Sequence, residues 1–190
     1  MSIATDQWPR RHLINVEQFH RMVEAGLLAQ DARVELIEGV IVDMAPIGSH
    51  HAGVVNLLME TLLLAAAGQA TVTVQQPLRL GSRSEPQPDV MLLRRRADFY
   101  RQSHATAADV LLVIEVSDTT LRFDRGEKTA LYAKHGIQEL WIVDLENRQL
   151  HCMREPAGET YRSVVSFSPP ANVAVAALPQ VQVQLAALFE

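Results

Sequence analysis

The chain has 190 residues, of which 48% are hydrophobic and 21% are charged, and its formal net charge at pH 7 is −5. This composition predicts one globular domain over residues 1–190 and argues against a protein that coats nucleic acid through a wide basic surface. The longest apolar stretch, residues 57–67, is broken by Glu60 and is too short to span a bilayer. With no signal-peptide pattern and a single cysteine, Cys152, we expect a cytoplasmic protein without a membrane segment.

The first third of the chain predicts a helix, a pair of short strands and a second helix. Residues 15–26 carry apolar side chains at helical spacing behind Asn15, a good N-cap residue. Residues 33–44 alternate around a central glycine, a pattern that predicts either two short strands meeting at a turn or one bulged strand. Residues 49–68 carry a long apolar stripe between the candidate N-cap Ser49 and a terminal glycine, so they predict a core helix.

The middle of the chain predicts three strands, a helix and a further strand. Residues 110–117 form an apolar run that is typical of a strand buried on both faces. Asp124 precedes Glu127 by three residues, a spacing that resembles a capping box and predicts a helix beginning at Asp124. The other segments predict strands at residues 70–80, 88–93 and 139–145, an edge strand at 149–155, a strand at 161–167 and an apolar tail after Pro169 and Pro170. This mixed order predicts an α/β fold with a central sheet between helices.

Two acidic residues stand out in the predicted sheet. Glu115 lies in the apolar run, where an ionised side chain is costly unless it is paired or bound to a metal. Asp89 lies at the start of the preceding strand, directly after Pro88. If the two strands are adjacent and antiparallel, both carboxylates converge at one edge of the sheet, where they repel each other unless a cation lies between them. Hard oxygen ligands of this kind favour Mg²⁺ or Mn²⁺.

Five motifs together resemble a known family. In chain order they read "ELIEG", "PDV", "VIEVSD", "DRGEK" followed by Tyr132, and "GIQELWIVD". Their order and spacing are similar to those of the Uma-type family of bacterial putative restriction endonucleases, within the PD-(D/E)XK nuclease superfamily. The resemblance covers residues 15–155 and is carried by the whole series, since a PD followed by a distant Glu is weak evidence by itself.

The resemblance implies a restriction-endonuclease-like αβββαβ core, at residues 34–155, with an N-terminal helix and a C-terminal strand and helix extension. In that superfamily, Asp89 and Glu115 would bind the metal. A lysine normally follows the Glu by two residues, but Ser117 stands at that position, so the site is either inactive or takes its lysine from elsewhere. Lys128 is the candidate, and Glu35 is implied as a further acid near the site.

The leading hypothesis is therefore a Mg²⁺-dependent endonuclease that hydrolyses phosphodiester bonds in DNA, with Mn²⁺ as an alternative ion. A homodimer is expected by analogy with nucleases that cut both strands. Two other classes compete with it. The missing lysine and the acidic composition favour a catalytically inactive nuclease-fold protein that binds nucleic acid or serves as a scaffold. A metal-dependent hydrolase of a small substrate is favoured if no basic groove borders the site.

Each candidate residue also has a plain structural interpretation. Asp89 could cap a strand entry, Glu35 could be a surface strand residue, and Lys128 could be an exposed helix residue that pairs with Asp124. His50 and His51 could approach a phosphate at a helix N-terminus, although a solvent-facing pair is favoured. Tyr132 and Trp141 are expected in the core. The basic patch Arg94, Arg95, Arg96 and Arg101, with Phe99 and Tyr100, is a solvated loop or, alternatively, a phosphate contact.

Overall fold

The computed structural model describes residues 11–29 and 31–190. The strands of this part of the chain are β1 (Val34–Ile37), β2 (Val40–Asp43), β3 (Ala70–Val74), β4 (Leu78–Arg79), β5 (Val90–Arg94), β6 (Ala105–Thr106), β7 (Val110–Ser117), β8 (Glu139–Asp144), β9 (Gln149–Ala157), β10 (Thr160–Phe167), β11 (Asn172–Val175) and β12 (Leu178–Gln184). The helices are α1 (Val16–Glu24), α2 (Ser49–Ala66), a 3₁₀ turn (Ala107–Asp109), α3 (Leu121–Phe123), a π-helical turn (Asp124–Lys128), α4 (Thr129–Lys134) and α5 (Leu185–Leu188).

Six strands form a mixed sheet in the order β10-β9-β8-β7-β5-β3. β7 and β8 are parallel, whereas the other neighbouring pairs are antiparallel. The parallel pair is joined through α3, the π-helical turn and α4, because parallel strands require a crossover connection. Three two-stranded ladders accompany the sheet, namely β1-β2, β4-β6 and β11-β12. A central mixed sheet flanked by helices confirms the predicted fold class.

Two apolar clusters cover the two faces of the sheet. α2, α5 and the β11-β12 hairpin pack over one face, and α4 packs over the other. Met91 of β5 and Val113 of β7 belong to the cluster on the α4 face. Because side chains two residues apart on a strand share a face, Asp89 and Glu115 also lie on the α4 side. The fold therefore directs both carboxylates toward the helix that carries Lys128.

The N-terminal predictions agree with the structure. Asn15 caps α1, and its side chain and that of Gln18 form a reciprocal capping box. β1 and β2 form an antiparallel hairpin rather than one bulged strand. Gly39 in its turn has φ of +83°, and a Cβ atom there would lie 2.8 Å from Leu13 Cβ and 2.9 Å from Ile14 O. Only glycine fits this turn, because the backbone conformation and the close approach both exclude a side chain.

The helix after β7 differs from its prediction. It was expected to begin at Asp124, but α3 begins at Leu121 and Asp124 lies inside the following π-helical turn. The Asp124 carboxylate accepts hydrogen bonds from Ser117 Oγ at 2.8 Å and from Thr120 Oγ1 at 2.5 Å, so it binds side chains instead of capping backbone N–H groups. Lys128 is consequently outside the first helical turn.

Four further predictions about the elements need correction. The N-cap of α2 is Gly48, and Ser49 is its first residue. Residues 70–80 break into β3 and β4, since Gln75 turns with φ of +50°. β9 lies inside the sheet between β8 and β10 and is not an edge strand. The apolar tail contains the β11-β12 hairpin, which its short alternating pattern does not predict.

Candidate active site at the ends of β5 and β7

Strand pairing brings Asp89 and Glu115 side by side. β5 and β7 are antiparallel, and Val90 pairs with Ile114, so the residue before Val90 stands next to the residue after Ile114. The backbone N–H of Val116 donates a hydrogen bond to Asp89 Oδ2 at 2.8 Å. The predicted adjacency of the two strands is confirmed, and both carboxylates line one cavity.

Lys128 reaches both Glu115 and Glu35. Its Nζ atom lies 3.2 Å from Glu115 Oε1 and 3.3 Å from Glu35 Oε1. The Lys128 side chain is buried, so its interpretation as an exposed partner of Asp124 is wrong. π-helical turns occur frequently at functional sites, and this one ends at Lys128 and points its side chain toward the strand ends.

Glu35 is buried, which contradicts the alternative of a surface strand residue. Its Oε1 atom faces Lys128, and its Oε2 atom accepts a hydrogen bond from the backbone N–H of Gln87 at 3.0 Å. Glu35 on β1 thereby ties the β1-β2 hairpin to the segment that leads into Asp89.

Tyr132, expected only as a core residue, is buried and also belongs to the site. Its hydroxyl donates a hydrogen bond to Glu115 Oε1 at 2.5 Å, so this oxygen contacts both the Tyr132 hydroxyl and the Lys128 ammonium group. Among the described residues, none donates a hydrogen bond to Glu115 Oε2. Tyr132 follows Lys128 by four residues, and this helical spacing could have indicated from the sequence that the two side chains share one face of the helix.

The site holds more negative than positive charge. The pKa of Glu115 is raised to about 8, chiefly by burial. The positive charge of Lys128 lowers this pKa, but the negative charges of Asp124, Asp89 and Glu35 raise it again. Burial also raises the pKa of Asp124. Burial alone would lower the pKa of Lys128, but the surrounding carboxylates, Glu115 foremost, raise it above its ordinary value. Lys128 therefore stays charged at neutral pH, whereas Glu115 binds a proton more readily than an ordinary glutamate does.

His51 contacts Asp89 directly, a contact that the sequence did not reveal. Its Nε2 atom lies 3.1 Å from Asp89 Oδ2, and this hydrogen bond raises the pKa of His51. His51 Nδ1 is buried and has no partner among the described residues. The neighbouring His50 is exposed, so the expectation of a solvent-facing pair holds for His50 and is wrong for His51.

These groups lie in a cavity of about 900 Å³ between the β1-β2 hairpin, the start of α2 and the segment from the end of β7 through the π-helical turn. Its walls carry seven acidic side chains: Glu35, Asp43, Asp89, Glu115, Asp118, Asp124 and Glu127. Its basic side chains, apart from His51, are Arg33, Arg122 and Lys128.

The donor set fits a divalent ion that is held by few protein ligands. The described residues contain no group of three or more His, Cys, Asp or Glu side chains arranged to hold a metal ion. Mg²⁺ does not require such a group, because it commonly binds through one or two carboxylates and completes its shell with water and substrate phosphates. Asp89 and Glu115, with Glu115 Oε2 unpartnered among the described residues, fit that mode.

The basic patch lies away from this site. Arg94 ends β5, whereas Asp89 precedes its first residue, so the patch and Asp89 flank opposite ends of the strand. Arg96 binds Asp98 through two hydrogen bonds, of 3.0 and 2.7 Å, and lies over the Tyr100 ring. Arg95 lies over Phe99 in the same way. These contacts account for the patch as a locally ordered loop.

In the described part of the chain, no helix combines the length and the hydrophobicity that crossing a membrane requires. The fold is similar to the crystal structure of a putative nuclease belonging to DUF820 from Anabaena variabilis ATCC 29413, with a TM-score of 0.71 and 16% sequence identity over 93% of this chain and 97% of that chain. Among curated proteins, none matches the chain. The model of the Uma2 family, described as "Putative restriction endonuclease", matches residues 16–187, and the chain therefore belongs to this family.

Proposed function

We propose that the protein is a Mg²⁺-dependent endonuclease that hydrolyses phosphodiester bonds in DNA. The observation that carries this proposal is the convergence of Asp89, Glu115 and Lys128 in one cavity, two carboxylates and one buried ammonium group. Membership of a family of putative restriction endonucleases supports the same reaction class.

Asp89 and Glu115 would hold the ion, with Mn²⁺ as an alternative to Mg²⁺. When bound, the ion would polarise the phosphate and lower the pKa of an attacking water. Binding would also relieve the repulsion between carboxylates that one lysine does not neutralise, which gives this site a physical reason to take up a divalent cation.

Lys128 would supply the positive charge that Ser117 does not. Its raised pKa keeps the ammonium charged at neutral pH, so Lys128 can offset the negative charge that develops on the phosphate in the transition state. Glu35 contacts the Lys128 ammonium directly. Tyr132 donates a hydrogen bond to the Glu115 oxygen that also contacts this ammonium. Both residues act on the reaction through Lys128 and Glu115.

His51 would position the Asp89 carboxylate. Asp89 Oδ2 is fixed by the Val116 N–H and by His51 Nε2, whereas among the described residues Oδ1 receives only a 3.4 Å contact from Gln75 Nε2. This arrangement leaves Asp89 Oδ1 as the oxygen most available to an ion. Partners of this kind orient metal ligands and commonly change metal affinity when they are removed.

A plasmid-nicking assay tests the proposal. The wild-type protein should convert supercoiled plasmid to nicked or linear forms with Mg²⁺ and should not do so with EDTA. Asp89→Asn and Glu115→Gln should lose at least about 100-fold in rate, because each keeps the shape of the side chain and removes its charge. Glu60→Gln, an exposed carboxylate on α2, serves as the control. Cleavage by Asp89→Asn at the wild-type rate would show that the site lies elsewhere.

A catalytically inactive nuclease-fold protein is the second candidate. The observation that favours it is Ser117, which occupies the usual lysine position and hydrogen bonds to Asp124. In that case the protein should bind DNA with and without Mg²⁺ and cut none of it. The homodimer expected by analogy stays a prediction that size-exclusion chromatography with light scattering can test.

A further inference from the structure

The groups assigned to catalysis are recessed below the protein surface. Relative exposures are 2% for Glu115, 3% for Glu35, 6% for Lys128 and 8% for Asp89. A phosphodiester must come within hydrogen-bonding or metal-bridging distance of these groups to react. The scissile phosphate and its neighbouring sugars must therefore enter the cavity.

The cavity is small compared with a DNA duplex. Its volume of about 900 Å³ corresponds to a cube roughly 10 Å on a side. Cavities of about 300–1,000 Å³ enclose one drug-sized ligand, whereas the major groove of B-DNA alone is about 12 Å wide. A short stretch of one strand fits this space, but two paired strands do not.

The charge of the walls also disfavours a duplex. Duplex-binding proteins neutralise many phosphates, often about 6–10, with Lys and Arg. Here seven carboxylates face the cavity, and Lys128 is engaged by Glu115 and Glu35. The basic patch around Arg96 lies at the other end of β5. Apart from His51, the cavity walls carry three basic side chains against seven acidic ones, which is too little positive charge to hold both backbones of a duplex.

Two arginines and several apolar side chains suit a single strand. Arg33 precedes β1 on one wall and Arg122 belongs to α3 on another, and neither pairs with a carboxylate in the described part of the chain. Each is exposed and can contact a phosphate on either side of the scissile one. Apolar wall contacts for sugars and bases come from Met44, Pro46, Ile47 and Phe123.

We propose that this site takes a single-stranded DNA segment, and that the protein cuts single strands, flaps or unpaired regions in preference to continuous duplex. The cleavage preference rests on the proposed nuclease function, whereas the preference for binding a single strand does not depend on it. A strand that is already unpaired can enter a recessed site without the few kcal/mol that local unpairing of a duplex costs.

Cleavage of three labelled substrates of one sequence tests the preference: a 30-nucleotide single strand, the blunt duplex, and the duplex carrying a single-stranded flap. With Mg²⁺, the single strand and the flap arm should be cut at least about tenfold faster than the blunt duplex. A blunt duplex cut as fast as the single strand would overturn the proposal.

Binding without catalysis separates this inference from the proposed function. In EDTA, fluorescence anisotropy should give a lower Kd for the single strand than for the duplex. If no substrate is cut but this order of affinity holds, the proposed cleavage fails and the binding preference stands. Equal affinity for both, or binding of neither, would overturn the preference.

Arg33→Gln and Arg122→Gln test the phosphate contacts. Each should weaken binding of the single strand and reduce the slope of log K against log salt by about 0.7, the value for one contact to a single strand. Arg95→Gln, in the basic patch at the other end of β5, is the matched control and should change neither quantity. An unchanged salt slope in both cavity variants would exclude these arginines as contacts.

Discussion

Lys128 Nζ lies 3.2 Å from Glu115 Oε1. Glu115 belongs to β7, and Lys128 ends the π-helical turn that follows this strand after a short connection and α3. The π-helical turn that ends at Lys128 and the burial of both side chains create this contact. The segment between β7 and β8 thus places an ammonium group beside Glu115, whereas Ser117 stands two residues after Glu115 on the strand. The contact is the basis of the first prediction.

Lys128→Met should lower the rate of DNA cleavage at least about 100-fold, because it removes the ammonium group that lies beside Glu115 and Glu35. The protein should still fold. Removing one partner of a buried ion pair costs about 3–5 kcal/mol when a charge is stranded. Without Lys128, which lowers the pKa of Glu115, that pKa rises further above about 8, so Glu115 becomes protonated at neutral pH and leaves no stranded charge. Cleavage rate and melting temperature measure the two effects.

Lys134→Met is the matched control for that substitution. Lys134 lies on α4, is half exposed, and pairs with Glu38 at 2.9 Å on the surface. It should leave the cleavage rate unchanged. If Lys128→Met cuts DNA as fast as this control does, Lys128 is a structural residue and has no part in the reaction.

Millimolar Mg²⁺ or Mn²⁺ should raise the melting temperature of the wild-type protein. If the proposed site binds the ion and the unfolded chain does not, an ion at 100 times its Kd should stabilise the fold by about 2.7 kcal/mol. Asp89→Asn should abolish this rise in differential scanning fluorimetry. A rise of the same size in Asp89→Asn would locate the ion at other residues.

His51→Ala should weaken Mn²⁺ binding by about 10- to 100-fold in isothermal titration calorimetry, since it removes a partner that fixes Asp89. His51→Gln keeps a donor and should recover part of the affinity. His50→Ala changes the exposed neighbour and should have no effect. The positioning role is refuted if His51→Ala and His50→Ala bind Mn²⁺ equally well.

The pKa of Glu115 predicts how stability depends on pH in EDTA. Because the folded-state pKa is about 8 and the ordinary value is 4.5, the folded protein binds more protons than the unfolded chain between these values. The stability from this group is fully present below about pH 4.5 and is lost as pH rises through about 8. The slope approaches roughly 1.4 kcal/mol per pH unit for one proton.

Urea unfolding at pH 6 and pH 9 measures that slope. The free energy of unfolding should fall more steeply in the wild-type protein than in Glu115→Gln, which cannot titrate at this position. The comparison isolates Glu115 because both proteins share the other titrating groups, including Asp124 and His51. Identical slopes would mean that Glu115 is already ionised in the folded protein.

The sequence by itself determined the elements whose patterns are long and regular. The apolar run of β7 predicted a strand buried on both faces. The alternation around Gly39 predicted either a hairpin or one bulged strand, and the structure has the hairpin. Local capping fixed the start of α1 at Asn15. Asp89 and Glu115 were recognisable because a carboxylate in an apolar strand has few roles, and their adjacency followed once antiparallel pairing was assumed.

Only the tertiary structure decided which other side chains join these two carboxylates. His51, Tyr132 and Asp124 come from three segments, and nothing local to any of them specifies its distance to the sheet edge. The start of α3 was missed for the same reason. Asp124 and Glu127 fit a local capping pattern, but Ser117 and Thr120 bind the Asp124 carboxylate after folding. Burial then sets the charge states, since desolvation depends on the packed surroundings and not on the neighbouring sequence.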